Sequence, residues 1–182
     1  MTVNCGSFQT RRQRRVGGFS LIELIVIMVM LGVIAMVAIP SIASLGADRE
    51  SIAAQQLLRD LSFARQRAVA SGTRAWVVFD TGAHTWSVLA EDPSVPGRAN
   101  ASVIVDPATG HDFIQPLDIN QFAGVQLQAV GFDGDVEIGF DWLGQPLNAT
   151  EDPLAATGSV TLTGNHVVNV AINTGLVTYV RP

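Results

Sequence analysis

The chain has 182 residues, with 11 basic side chains against 16 acidic ones for a formal charge of −5, and one cysteine, Cys5. A single cysteine excludes a disulfide-stapled scaffold, and the net acidity argues against a uniformly basic nucleic-acid binder. The length suits one globular domain with an additional segment, and neither a solenoid-length repeat nor a low-complexity tail interrupts it.

The first informative element is at the N-terminus. Arg11, Arg12, Arg14 and Arg15 precede the pair Gly17-Gly18, and residues 24–39 are then uniformly apolar or small. A helix over 19–39 is expected to be long enough to cross a bilayer core of about 30 Å at roughly 1.5 Å per residue. No basic residue follows until Arg49, so the positive-inside bias keeps the N-terminus cytoplasmic and exports the bulk of the chain. Glu23 lies inside this apolar run, where an ionised carboxylate costs on the order of 3 kcal/mol, so a compensating partner is expected. A secretory signal peptide cut near Ser41-Ile42-Ala43 is one alternative, but its apolar region would be unusually long and would contain an acid. A plain membrane anchor is another, and it leaves Gly17-Gly18 and Glu23 without a role.

Pro40 ends the apolar run, and the polar segment 41–48 carries Gly46, a place for the helical stem to bend. Helical periodicity then resumes. Ala54, Leu57, Leu58, Leu61, Ala64 and Ala68 form an apolar stripe at spacings of three and four, while Arg59, Asp60, Gln66 and Arg67 are expected to face elsewhere. Gly72 is the expected stop. The stripe reads as the face that packs on the sheet of its own domain.

From Thr73 the pattern becomes short β segments. Residues 75–79 and 85–89 flank the turn Thr81-Gly82-Ala83 and predict a hairpin. Further strands are expected over 102–105, 125–130, 136–142, 159–163, 167–173 and 176–180, with loops over 93–97, 106–116 and 144–158. The expected fold class is α+β: a long N-terminal helix, membrane-spanning in its first half and amphipathic in its second, packed on antiparallel β-sheets.

The stretch Gly18, Phe19, Ser20, Leu21, Ile22, Glu23, Leu24 resembles the class III signal of type IV pilins and type II secretion pseudopilins. The resemblance implies cleavage between Gly18 and Phe19 by a prepilin peptidase, and N-methylation of Phe19 by the same peptidase/N-methyltransferase. It makes Glu23 the fifth residue of the mature chain and puts Pro40 where the family usually has a helix-kinking proline. It divides the chain into a cytoplasmic leader (1–18), a transmembrane and assembly helix (19–39), an amphipathic continuation (40–72) and a periplasmic β-rich domain (73–182). The new α-amine at Phe19, cationic near neutral pH, could meet Glu23 of a neighbouring subunit and fix an axial register. With all four leader arginines removed, the mature charge is 7 − 16 = −9.

Two looser resemblances narrow the group. The run LSFARQRAVASGTRAWVVFD (61–80), and FDWLGQPLN (140–148) with INTGLV (172–177), are similar to the GspH/FimT minor pseudopilins and pilins. They imply a non-enzymatic minor pseudopilin near the tip of a type II secretion pseudopilus. Its partners would be the major and other minor pseudopilins, the inner-membrane secretion platform and the lipid bilayer. The alternative is a FimT-like minor pilin for pilus initiation, adhesion or DNA uptake. The basic GRxR motif of the DNA-binding relatives is replaced here by Thr174, Gly175, Leu176 and Val177, which argues against nucleic acid as a partner.

No metal or other cofactor is expected. Asp133, Asp135, Glu137 and Asp141 lack calcium-loop spacing, since Ile138 holds the required glycine position and Gly144 the required glutamate. Their alternation with Val136, Ile138 and Phe140 reads as one wet and one buried strand face. His84, His111 and His166 are far apart, with no hydrolase or phosphate-loop motif beside them, and read as structural or surface histidines. Trp76, Trp86 and Trp142 read as core or sheet residues.

Overall fold

The computed structural model describes residues 20–182, except for the side chains at 37–45. Gly18 and Phe19 lie outside the described residues, as does the side chain of Pro40. The chain divides into two compact units, residues 1–41 and 42–182.

One helix, α1 (Leu21–Ser71), runs through both units. It begins where the Ser20 carbonyl accepts the N–H groups of Glu23 and Leu24 at 3.1 and 3.2 Å. It ends where Gly72 takes φ +66°, the left-handed conformation that glycine adopts without steric penalty. Gly46 is accommodated within the helix.

In the second unit the expected stripe is the buried face. Ala53, Ala54, Leu57, Leu61, Ala64 and Ala68 are fully buried, and Leu58 is partly so. Their small and branched side chains let sheet residues close onto the helix. Asp60 corrects the expectation that it faces outward, because it is only 4% exposed. It continues the spacing 53, 57, 60, 64, which returns to one side of a helix of 3.6 residues per turn.

The strands are β1 (Ala75–Asp80), β2 (Thr85–Ala90), β3 (Ser102–Val103), β4 (Ile114–Pro116), β5 (Leu127–Gly131), β6 (Glu137–Phe140), β7 (Pro146–Leu147), β8 (Gly158–Leu162), β9 (His166–Val170) and β10 (Val177–Val180). They form two antiparallel sheets, one ordered β3-β2-β1-β6-β7 with β4 also on β2, the other β10-β9-β8-β5. The expected hairpin pairs Val77 with Val88, and β1 also pairs Val77 with Ile138 of β6. In the second sheet Val160 faces Val168. The α+β expectation of a helix on antiparallel sheets therefore holds.

A single apolar cluster joins the helix to both sheets. Leu57 and Leu61 belong to it with Phe79, Trp86, Phe132, Phe140, Val160 and Val168. Phe79 of the first sheet stacks on Phe132, just after β5 of the second, at 5.8 Å between ring centres.

Several boundaries differ from the expected ones. The loop expected over 106–116 contains β4, whose Ser87–Ile114 and Thr85–Pro116 pairings extend the edge of β2. Proline at such an edge costs no ladder bond that matters, so the strand forms despite it. The loop expected over 144–158 contains β7, with Pro146 as its first residue. The strand expected over 136–142 stops at Phe140, leaving Val136 and Trp142 exposed rather than in the core. Ile138, Gly139 and Phe140 are all buried, so β6 has no plain wet face.

Candidate assembly surfaces

In the first unit the described part of α1 buries none of its large apolar side chains. Leu21, Ile22, Leu24, Ile25, Val26, Ile27, Met28, Val29, Met30, Leu31, Val33, Ile34 and Met36 are all exposed. An uncovered apolar surface of this extent marks an interaction site, because water disfavours it by about 25 cal/mol per Å². Glu23 is exposed among these residues in the first turn, where the positive end of the helix dipole favours a carboxylate. Among the described residues no helix is long and apolar enough to cross a membrane. The segment expected to do so, 19–39, runs outside the described residues at both ends.

In the second unit several acids are held by hydrogen bonds within the fold. Asp60 accepts hydrogen bonds from Trp86 Nε1 at 2.9 Å and Gln56 Nε2 at 2.8 Å. Burial pushes its pKa up to about 6, against the lowering effect of those two donors. Asp118 is held below the usual carboxylate range by the Gly124 N–H at 2.7 Å and by Gln126. Asp92 is lowered by the Ser94 hydroxyl and then by the Ser94 N–H.

Arginines and glutamates tie the loops together. Arg98 grips Glu137 through Nε and Nη2, with distances from 2.6 to 3.1 Å. Arg74 pairs with Glu151 and Glu91, and Glu151 also accepts the Arg98 N–H at 2.7 Å. Glu137, weighed as a metal ligand in the sequence, is thus committed to a guanidinium. Asp133 accepts the N–H groups of Ala155 and Ala156, and Asp141 those of Leu143 and Gln145. Among the described residues no group of three His, Cys, Asp or Glu side chains could hold a metal ion.

His166 is buried, bonded through Nδ1 to the Tyr179 hydroxyl and lying 3.6 Å from Glu50 Oε2. His84 sits in the β1–β2 turn at φ 51°, and His111 is exposed in the loop before β4. Trp76 and Trp86 are fully buried, whereas Trp142 is 52% exposed.

Two surface features flank the second half of α1. One is a groove of about 520 Å³ between the helix and the loop ahead of β4, where Phe63, Phe113 and Ile114 meet Asp60, Asp106 and Asp112. Phe63 stacks on Phe113 at 5.5 Å. The other is formed by two turns held against the helix. Arg65 Nε donates to the Gly144 carbonyl at 3.0 Å, and a Cβ on Gly175 would lie 2.4 Å from that same oxygen. The sequence showed neither feature, because each depends on residues far apart in the chain.

Two solved structures of the minor pseudopilin EpsH from the type II secretion system of Vibrio cholerae share this fold. One has a TM-score of 0.50 and 16% identity, covering 74% of this chain and 98% of that one. The other has a TM-score of 0.53 and 14% identity, covering 74% and 95%. No curated protein matches the sequence. Residues 53–175, from the buried helical stripe to the β9–β10 turn, match the family described as type II transport protein GspH. The chain therefore belongs to the GspH family of type II transport proteins.

Proposed function

We propose that the chain is a minor pseudopilin of type II secretion, a structural subunit near the pseudopilus tip that supports export of folded proteins across the outer membrane. The observation that carries this reading is the exposed apolar run of α1 with Glu23 at its start, in a chain whose remainder matches the GspH family. A subunit that moves from bilayer to filament needs an apolar surface that lipid covers first and neighbouring helices cover later.

In this reading residues 1–18 are the cytoplasmic leader, removed between Gly18 and Phe19, after which Phe19 is N-methylated. Residues 19–39 hold the chain in the inner membrane, 40–72 continue the stem with Pro40 as its kink, and 73–182 lie in the periplasm. Glu23 pairs with the Phe19 amine of a neighbour during assembly. The partners are the peptidase, the major and other minor pseudopilins, the secretion platform and the lipid bilayer.

The work is assembly rather than catalysis, and the commitment of Glu137, Asp133 and Asp141 to structural bonds is consistent with that. In place of a basic DNA-binding motif, the β9–β10 turn presents Leu176. The test is a clean deletion with complementation, scoring exoprotein in the medium and surface pili on the same cultures. Cargo trapped in the periplasm with normal pili supports the proposal. Lost pili or DNA uptake with normal secretion overturns it in favour of a minor pilin.

A further inference from the structure

The first sheet carries a small core of its own on the face turned away from α1. Along β1, Ala75, Val77 and Phe79 belong to the apolar cluster shared with the helix, whereas Trp76 is fully buried without belonging to it. Successive side chains of a strand point to opposite faces, so Trp76 lies on the outer one. Its cross-strand partners there are Leu89 of β2 and Gly139 of β6, and Gly139 pairs in turn with Leu147 of β7. Leu89 and Leu147 are likewise buried and outside the main cluster. Gly139 makes room for the indole, because a Cβ there would lie 2.6 Å from Trp76 Nε1.

The segment that closes over this face is residues 92–100, between β2 and β3. None of its residues is buried, and Val95 is exposed, so apolar burial does not hold it down. Among the described residues, Arg98 is its only side chain with a hydrogen bond outside the segment. The guanidinium grips Glu137 through Nε and Nη2 at 2.6 to 3.1 Å, and the Arg98 N–H donates to Glu151 Oε1 at 2.7 Å. The Gly97 N–H adds one bond to Glu91, at the root of the segment. Glu137 stands opposite Val78, and Glu151 pairs with Arg74. Arg74 and Val78 lie two residues to either side of Trp76, on its own face of β1. The two attachments of Arg98 therefore bracket the indole.

Two features work against the closed arrangement. The Trp76 indole N–H is buried with no hydrogen-bond partner among the described residues, so it has given up water without gaining an acceptor. Glu151, which receives both arginines, has φ +67°, a left-handed conformation that is unfavourable for a residue with a Cβ. Opening would give water access to the indole and release Glu151. Opposing this is one strong element, the charge-assisted paired grip of Arg98 on Glu137.

We propose that residues 92–100 are a lid bolted by Arg98, which opens as a unit and exposes Trp76, Leu89 and Leu147 while the core between α1 and the two sheets stays folded. The open state presents an apolar surface with one free hydrogen-bond donor, and the closed state conceals it. Local opening of this kind is distinct from global unfolding. The device goes beyond the assembly role proposed above and does not depend on it.

The test follows the indole N–H signals of the full chain in mild detergent by NMR after transfer to heavy water at fixed pH. Trp86, whose indole is bonded to Asp60 in the main core, reports on opening of that core, and Trp76 reports on the lid. In the wild type Trp76 should exchange about tenfold faster than Trp86 or more, since local opening costs less than global unfolding. Arg98→Ala should speed Trp76 exchange by a further factor of about ten while Trp86 changes by less than roughly threefold. Glu137→Ala, which removes the other half of the bolt, should do the same and carries the test if Arg98→Ala does not fold. Equal rates for the two indoles in the wild type, or acceleration of both by the same factor in the variants, would mean that the lid opens only with the whole domain. An unchanged Trp76 rate in a folded variant would mean that Arg98 does not hold it. Each of these results overturns the proposal.

Discussion

Trp86 donates its indole N–H to a carboxylate, Asp60 Oδ2, at 2.9 Å, and both residues are buried between α1 and the first sheet. An acid in that position is held by two neutral donors, Trp86 and Gln56, and among the described residues it forms no ion pair. The folded protein therefore binds a proton there more readily than the unfolded chain.

The sign of the pH dependence follows. The Asp60 pKa rises from 3.8 to about 6 on folding. Between those values the folded state is protonated and the unfolded state is not, so the contribution of Asp60 to stability is fully present below 3.8 and is lost as pH rises through about 6. A shift of this size corresponds to about 3 kcal/mol. Asp60→Asn should remove this term, raising stability at pH 7.5 and flattening the profile between pH 4 and 6. Urea unfolding of the full chain in mild detergent across that range checks it, and an unchanged slope in the variant would assign the pH dependence elsewhere.

Leu57 is fully buried where α1 meets both sheets. Leu57→Ala should cost about 2–5 kcal/mol, the removed apolar area plus the cavity it leaves. Ile52, exposed on the same helix, gives the control: Ile52→Ala should stay within about 0.5 kcal/mol. Denaturation midpoints of the two variants decide the matter.

Gly158 opens β8 directly against the Phe132 ring, and a Cβ there would come within 2.1 Å of Phe132 Cδ1. Gly158→Ala should displace that ring from its stack on Phe79 and destabilise the fold by about 1–3 kcal/mol. Combining it with Phe132→Leu should recover part of the loss. A double-mutant cycle that gives simple additivity would contradict this coupling.

In the proposed function Glu23 serves assembly and takes no part in folding. Glu23→Ala should abolish or strongly reduce secretion while leaving the unfolding midpoint of the β-rich domain unchanged, because Glu23 is exposed and lies in the other compact unit. Exoprotein assays on complemented deletion strains, paired with unfolding curves, provide the comparison; wild-type secretion would remove Glu23 from the proposed role.

Local pattern was enough to read the helix stripe and the β1–β2 hairpin. Leu57, Leu61, Ala64 and Ala68 repeat at helical spacing, and the turn Thr81-Gly82-Ala83 separates two β-rich runs. Asp60 was misread because its charge outweighed its position, although the spacing 57, 60, 64 put it on the inner face. Strands β4 and β7 were missed for another reason. Three and two residues long, with prolines at 116 and 146, they exist only because longer strands offer them an edge. Arg98 with Glu137, and Arg65 with Gly144, are separated by 39 and 79 residues, and no local rule pairs them. Gly18, Phe19 and Pro40 remain statements of resemblance, with Gly18, Phe19 and the Pro40 side chain outside the described residues.

The buried face of α1 runs from Ala53 to Ala68 and touches a core shared by both sheets. Tension applied along such a helix loads its successive turns side by side, in shear, so the contacts must yield together rather than one after another. Under the proposed function, a pull along the buried stretch of α1 would therefore load the core shared by both sheets along the length of that face rather than at one end.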